Sequence, residues 1–313
     1  MQKYNSFLEI RDLKGPGLGL LQLVLFCFGG MIVFQIVSVV PLMLLFNTGF
    51  EETMRLLTDM GDPRSKVALY TTQAVGSLGA FILVPLFYIK LYQGTKVSTY
   101  FSVDTRYWQP LIYVILITFC FMVVNSLFIE WNLNLKFPEF MSGFEQWAQA
   151  KEEQLKVITE YLTDFSGFGE LLVALFVVAI IPGIGEELLF RGLIQTRLQQ
   201  LTRNPHIAIW VAAIFFSAFH FQFYGFVPRM LLGALFGYIF YWSGSLVLAM
   251  LAHFFNNGFS LVMLYLYKND LVGFNIDDTE TVPLETVGFF FIIGAALTYL
   301  FIKFHRNLEN ADG

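Results

Sequence analysis

Charge is what this chain has least of. Charged residues fill 14% of its 313 positions, against about 25% in a soluble domain. Cysteine is rarer still: Cys27 and Cys120 are the two present, each inside an apolar run. A disulfide framework and a cysteine metal site are thereby excluded, and both thiols read as small apolar filler. The polar stretch 1–16 lacks an apolar segment followed closely by a small-residue cleavage site, so no cleaved signal peptide is expected. No internal repeat, low-complexity tract or separate soluble domain interrupts the sequence, which reads as one multi-pass membrane domain over 1–313. A net charge of −5 gives no reason to expect nucleic acid as a partner.

Apolar residues fill the gap. The chain is 56% hydrophobic and 18% aromatic, with a mean hydropathy of +0.62. It is expected to be an all-α integral membrane protein whose first partner is the lipid bilayer. A span needs roughly 20 mostly apolar residues. About eight are expected: Leu18 to Phe46, interrupted at Gly29-Gly30 and Pro41; Val67 to Ile89; Trp108 to Ile129; Glu170 through a polar extension, Gln195 to Gln200; Ile207 to about Phe223; about Pro228 to Trp242; Leu246 to Tyr267; and Val287 to Ile302. The segment 130–166 differs. Its run Phe144 to Ile158 is charged and helical, with Trp147, Leu155 and Ile158 near one face. It reads either as an amphipathic helix at the membrane surface or as a solvated extramembrane helix.

Basic residues cluster before the first span (Lys3, Arg11, Lys14), between the second and third (Lys90, Lys96, Arg106), between the fourth and fifth (Arg197, Arg203) and after the eighth (Lys303, His305, Arg306). Acidic loops alternate with them, notably Glu139 to Asp164 and Asp277-Asp278 to Glu280. Both termini are therefore expected to be cytoplasmic. Arg229 breaks the alternation. Compact loops suit a bacterial plasma membrane.

Against this background one stretch stands out. Fifteen uncharged residues, Leu171 to Gly185, are followed by Glu186-Glu187-Leu188-Leu189-Phe190-Arg191. Each charge inside an apolar span costs about 2.5–3.5 kcal/mol even on the mild insertion scale, so such residues are functional candidates. Glu187 and Arg191 are i,i+4 neighbours in the favourable acid-first order and can neutralise each other. Glu186 points about 100° away and is left over. The other polar groups at depth are His220, and His253 with Asn257 one turn later on the same helix face. Glu186 precedes the Arg203-Asn204-Pro205 turn by 17 residues, counted to Arg203, and His220 follows Arg203 by 17. An antiparallel hairpin places both roughly 25 Å from the turn.

One carboxylate, two imidazoles and an amide suit attack of an activated water on a carbonyl. Glu186 can accept the proton of that water, and His220 can orient the water or shuttle its proton. His253 and Asn257 can donate to an oxyanion. Ser217, near the His220 face, reads as structural, its hydroxyl bonding back to its own helix. Glu186, His220 and His253 would also suit a divalent metal such as zinc, although no HExxH spacing occurs. The bland alternative is a structural Glu–Arg lock with packing histidines. His206, beside the cytoplasmic turn, reads as a solvated interface residue. A proton-coupled transporter, or an immunity or partner-binding protein, is the second functional class. Polar groups confined to the C-terminal half, without inverted repeats, argue against transport.

Glu186 to Arg191 resembles the EExxxR motif of the CPBP family, the CAAX-protease and bacteriocin-processing (Abi) intramembrane peptidases. Phe216 to His220 is similar to its FxxxH motif, and His253 to Asn257 to its HxxxN motif, in the family's order. The likeness covers about a third of the chain, with catalytic-core helices over 169–267. It implies an eight-helix membrane fold related to the Ras-converting CAAX endopeptidases. Carried over residue by residue, it implies Glu186 as the water-activating group, His220 as its assistant, His253 and Asn257 as the oxyanion hole, and Glu187 and Arg191 as supports. No cofactor is expected on that resemblance, and the partner it implies is a membrane-associated peptide or protein, CAAX-type or a bacteriocin leader.

Overall fold

The computed structural model describes residues 2–10, 13, 15–101, 106–273 and 282–312. Arg11, Lys14 and the acidic residues Asp277, Asp278 and Glu280 lie outside the described residues. Among those described, every regular element is helical: α1 (Gln2–Leu8), α2 (Pro16–Phe46), α3 (Phe50–Leu56), α4 (Ser65–Gln93), α5 (Gln109–Leu133), α6 (Ser142–Leu162), α7 (Phe168–Thr202), α8 (Pro205–Ala218), α9 (Phe226–Ser243), α10 (Leu246–Lys268) and α11 (Leu284–Asp312). Six of them, α2, α4, α5, α7, α10 and α11, are long and apolar enough to cross a membrane. The chain is a multi-pass, all-α membrane protein.

The other two expected spans form a shorter hairpin. α8 has 14 residues and α9 has 18. At 1.5 Å per residue α8 covers about 21 Å, short of the roughly 30 Å hydrocarbon core. The helix expected to run to Phe223 ends at Ala218 instead, and Phe221 turns the chain with φ +52°. Irregular backbone at this depth needs internal hydrogen-bond partners. α5 supplies them. Asn132 donates from Nδ2 to the Phe223 carbonyl (3.2 Å) and accepts at Oδ1 from the Val227 N–H (2.9 Å), while Asn125 Nδ2 donates to the Pro228 carbonyl (3.2 Å). Ser217 does not bond back to its own helix. Its Oγ donates across the turn to the Phe226 carbonyl at 2.6 Å.

α6 closes over that turn. Phe144 packs on Phe223, Gln149 Nε2 reaches the Tyr224 hydroxyl at 3.5 Å, and Glu152 Oε1 accepts from Gln222 Nε2 at 3.5 Å. Its end is fastened to α4, where the Tyr70 hydroxyl donates to the Leu162 carbonyl at 2.6 Å.

Two sequence-derived breaks move. α2 runs unbroken through Gly29-Gly30 and breaks at Ser38. Pro41 has no N–H to return to the Val37 carbonyl, which ends the regular turn there. α7 stays continuous but widens into π turns over Leu175–Ile180 and Leu188–Gln195. The core lies where α7, α8, α9 and α10 meet, and α1 plugs one end with Tyr4 and Phe7 packed edge-on against Phe240.

Candidate active site

The EExxxR stretch lies midway along α7, and its π turn Leu188–Gln195 is buried throughout. Such turns concentrate at functional sites. Glu187 and Arg191 make the expected pair, with Arg191 Nη1 donating to Glu187 Oε1 at 2.8 Å, both side chains enclosed. Nη2 donates to the Gly233 carbonyl of α9 at 2.8 Å, and one turn later Gln195 Nε2 donates to the Gly237 carbonyl at 3.2 Å. The guanidinium lies between two rings, 4.5 Å from the Phe216 centroid and 5.4 Å from that of Phe236. A buried arginine is kept by this combination of carboxylate, carbonyl and aromatic faces.

The same carboxylate oxygen holds His253. Its Nδ1 stands 2.8 Å from Glu187 Oε1. A carboxylate only accepts, so Nδ1 carries the hydrogen and Nε2 is the atom left for other partners. The His253 ring stacks on Phe236 at 5.0 Å and meets the edge of Phe216 at 5.8 Å. Glu187 therefore fixes both the arginine and the imidazole. The bond to His253 crosses 66 residues, and no spacing rule foretells it.

His220 follows α8 by two residues. Its Nδ1 stands 2.9 Å from the Phe216 carbonyl, so Nδ1 is the donor and Nε2 is left as an acceptor. Asn257 Nδ2 donates to the Val178 carbonyl on α7 at 2.9 Å, and its Oδ1 accepts from Asn256. Pro182, four residues on, has no N–H to give that carbonyl the usual helical bond. Close helix approach makes the reach possible. A Cβ at Gly183 would stand 3.2 Å from the Phe254 backbone nitrogen of α10.

Glu186 has none of this scaffolding. The residue is partly accessible, yet its Oε2 is buried without a hydrogen-bond partner. Glu186 and His220 share three charged or titratable neighbours, His253, Arg191 and Arg229. The partly accessible members of the constellation are Glu186, His220, Asn257 and Arg229, whereas Glu187, Arg191 and His253 are enclosed. The first group can meet a substrate, Glu187 and Arg191 hold the frame, and His253 is fixed to that frame through Nδ1, which leaves Nε2 for the site.

Sequence reasoning overlooked Asn125 and Asn132, seven residues apart on one face of an apolar span, a spacing that was there to be seen. It noticed Arg229 only as a misplaced charge. Among the described residues, no three His, Cys, Asp or Glu side chains are grouped as a metal set. His206, as expected, is exposed, its Nδ1 2.9 Å from the Tyr238 hydroxyl.

Residues 168–259 match the family described as "Type II CAAX prenyl endopeptidase Rce1-like". A protein of Bacillus subtilis (strain 168), "Uncharacterized protein YpbD", is 32% identical over 81 residues, covering 25% of this chain and 38% of that protein. The chain thus matches well under half the length of that relative. No solved structure matches. The family match spans α7 to α10 and takes in the EExxxR, FxxxH and HxxxN residues together, and it supports placing the chain in the CPBP family of CAAX-type membrane proteases.

Proposed function

We propose that the protein is an intramembrane endopeptidase that hydrolyses a peptide bond in a membrane-associated peptide or protein, with Glu186 as the general base. The observation that carries this reading is the Glu186 carboxylate, which makes no hydrogen bond among the described residues, has Oε2 buried, and has the braced His253 among its neighbours. A buried carboxylate oxygen without a partner is expensive, on the order of 1–3 kcal/mol. Glu187 Oε2 is another, but Glu187 holds Arg191 and His253 through Oε1, whereas Glu186 makes no hydrogen bond among the described residues, which a lock alone does not explain. Glu186 takes a proton from water as the water oxygen bonds to the substrate carbonyl carbon. His220 Nε2 accepts the second water hydrogen and holds the nucleophile in line. The carbonyl oxygen becomes an oxyanion, met by the remaining Nδ2 hydrogen of Asn257 and, with a hydrogen on both ring nitrogens of His253, by its Nε2–H. The C–N bond then breaks, and Glu186 returns its proton to the leaving amine.

A CAAX-type peptide or a bacteriocin leader is the substrate class this reading favours. Both termini lie on the cytoplasmic side of a bacterial plasma membrane, with α6 on the opposite face. The test uses the full chain in lipid nanodiscs with quenched-fluorescent, lipidated peptides. Cleavage by the wild type that disappears in Glu186→Ala supports the reading, and cleavage unchanged in that variant sinks it. A chelator arm separates metal dependence, since activity that survives chelation and still requires Glu186 assigns the chemistry to the carboxylate.

A further inference from the structure

Among the described residues, Arg229 acts on Glu186 and has a role neither in the hydrolytic scheme nor in the Glu187–Arg191 brace. It occupies the first turn of α9, on the side of the membrane where the loops are otherwise acidic. Its guanidinium lies on the backbone of the turn: a Cβ at Gly225 would stand 2.8 Å from Nη2. A side chain there would displace the end of the Arg229 side chain. Nη2 donates to the neutral Oε1 of Gln222 at 2.7 Å, and Nη1 is buried with no partner. No carboxylate lies within ion-pair distance of it among the described residues, although Glu186 on one side and Glu152 of α6 on the other both sense its charge. Arg191 shows what this chain does with a structural arginine: a carboxylate at 2.8 Å, a carbonyl at 2.8 Å and two aromatic faces. Arg229 has a single neutral partner, is partly accessible, and acts electrostatically on both Glu186 and His220.

A guanidinium offers five N–H donors in a planar fork that fits a carboxylate with two parallel bonds. We propose that Arg229 is a specificity-determining subsite that binds a carboxylate of the substrate peptide and so sets which bond is presented to Glu186. The proposal rests on the proteolytic reading above. The carboxylate belongs either to the peptide's free C-terminus or to an acidic side chain, and the chemistry of capture is the same.

The experiment compares matched lipidated peptides in nanodiscs: free acid against C-terminal amide, and internal Asp against Asn. The wild type is expected to favour one acid over its neutral twin by on the order of 10- to 100-fold in kcat/KM, chiefly through KM, as a charge-assisted pair implies. The pair that shows the preference identifies the source of the carboxylate. Arg229→Gln should bring the ratio to parity, and Arg229→Lys should keep part of it. Gln222→Glu retains the arginine but places an internal carboxylate against Nη2. It should raise KM for the acid peptide, which keeps the proposal testable if Arg229→Gln fails to fold. Equal cleavage of both pairs by the wild type, or a preference that survives in Arg229→Gln, overturns the subsite and leaves proteolysis standing. Wild-type rates no higher than those of Glu186→Ala on every peptide overturn proteolysis and the subsite with it.

Discussion

Glu186 and Glu187 are adjacent in sequence and opposite in circumstance. One oxygen of Glu187 is shared by Arg191 Nη1 and His253 Nδ1, each at 2.8 Å, inside a closed core. Glu186 meets the accessible side of the same helix with Oε2 unpartnered. Isosteric amides should therefore separate the two roles. Glu186→Gln is expected to melt at or above the wild-type temperature, because it removes an uncompensated buried carboxylate, while cleavage falls by roughly 10²- to 10⁴-fold with loss of the base. Glu187→Gln leaves the Arg191 charge without its counter-charge, which costs about 3–5 kcal/mol for a buried pair. Its melting temperature should drop sharply, and activity should follow. Thermal melts and peptide cleavage on the same nanodisc samples check both. The i,i+4 spacing made the Glu187–Arg191 pair legible from sequence. The hold of Glu187 on His253 was not, since it depends on how α7 and α10 pack.

At the scale of elements, two features position the site, and each was half visible. Pro182 is plain in the sequence, but its consequence is a bond spanning 79 residues, from the Asn257 amide to the Val178 carbonyl that the proline cannot serve. Pro182→Ala restores a helical N–H to compete for that carbonyl. A proline-to-alanine change inside a helix favours helix formation by about 3 kcal/mol. Stability is expected to rise while activity falls roughly tenfold, as the proposed donor to the oxyanion loses its anchor. Stability and activity rising together would show that the Val178 contact is incidental. The second feature is the α8–α9 turn. Hydropathy reads α8 and α9 as two spans because their residues are apolar, and it cannot register that Asn132 satisfies the Phe223 carbonyl and the Val227 N–H at once. Asn132→Ala strands both groups. At about 1–3 kcal/mol for each unsatisfied buried group, the melting temperature should fall, and with His220 on the loosened turn, cleavage should fall further than stability alone explains.

For the whole molecule, charge scarcity, apolar runs and the Glu-Glu-Arg stretch were enough to read an all-α membrane protein and the helices that carry its polar cluster. The relation of α6 to that cluster was not readable, because an amphipathic helix looks alike whether it lies on lipid, in water or over a site. In the structure α6 caps the α8–α9 turn and brings Glu152 to Gln222. Burial pushes the Glu152 carboxyl above the ordinary carboxylate range, and Arg229 acts in the opposite sense. The sign of the consequence follows from linkage. Below about pH 4 the carboxyl is neutral whether the cap is docked or released, so it costs nothing. As the pH rises, the released carboxyl ionises first, and the docked state loses stability until the docked carboxyl has titrated too. Glu152→Gln removes this penalty. Comparing hydrogen exchange over residues 142–162 in the variant and the wild type at the same pH cancels the intrinsic exchange rates. The variant's cap should be the better protected at pH 7, and the difference should vanish below about pH 4. A difference of equal size at both pH values would assign the effect to packing, and the cap would then be held without regard to the charge it carries over the site.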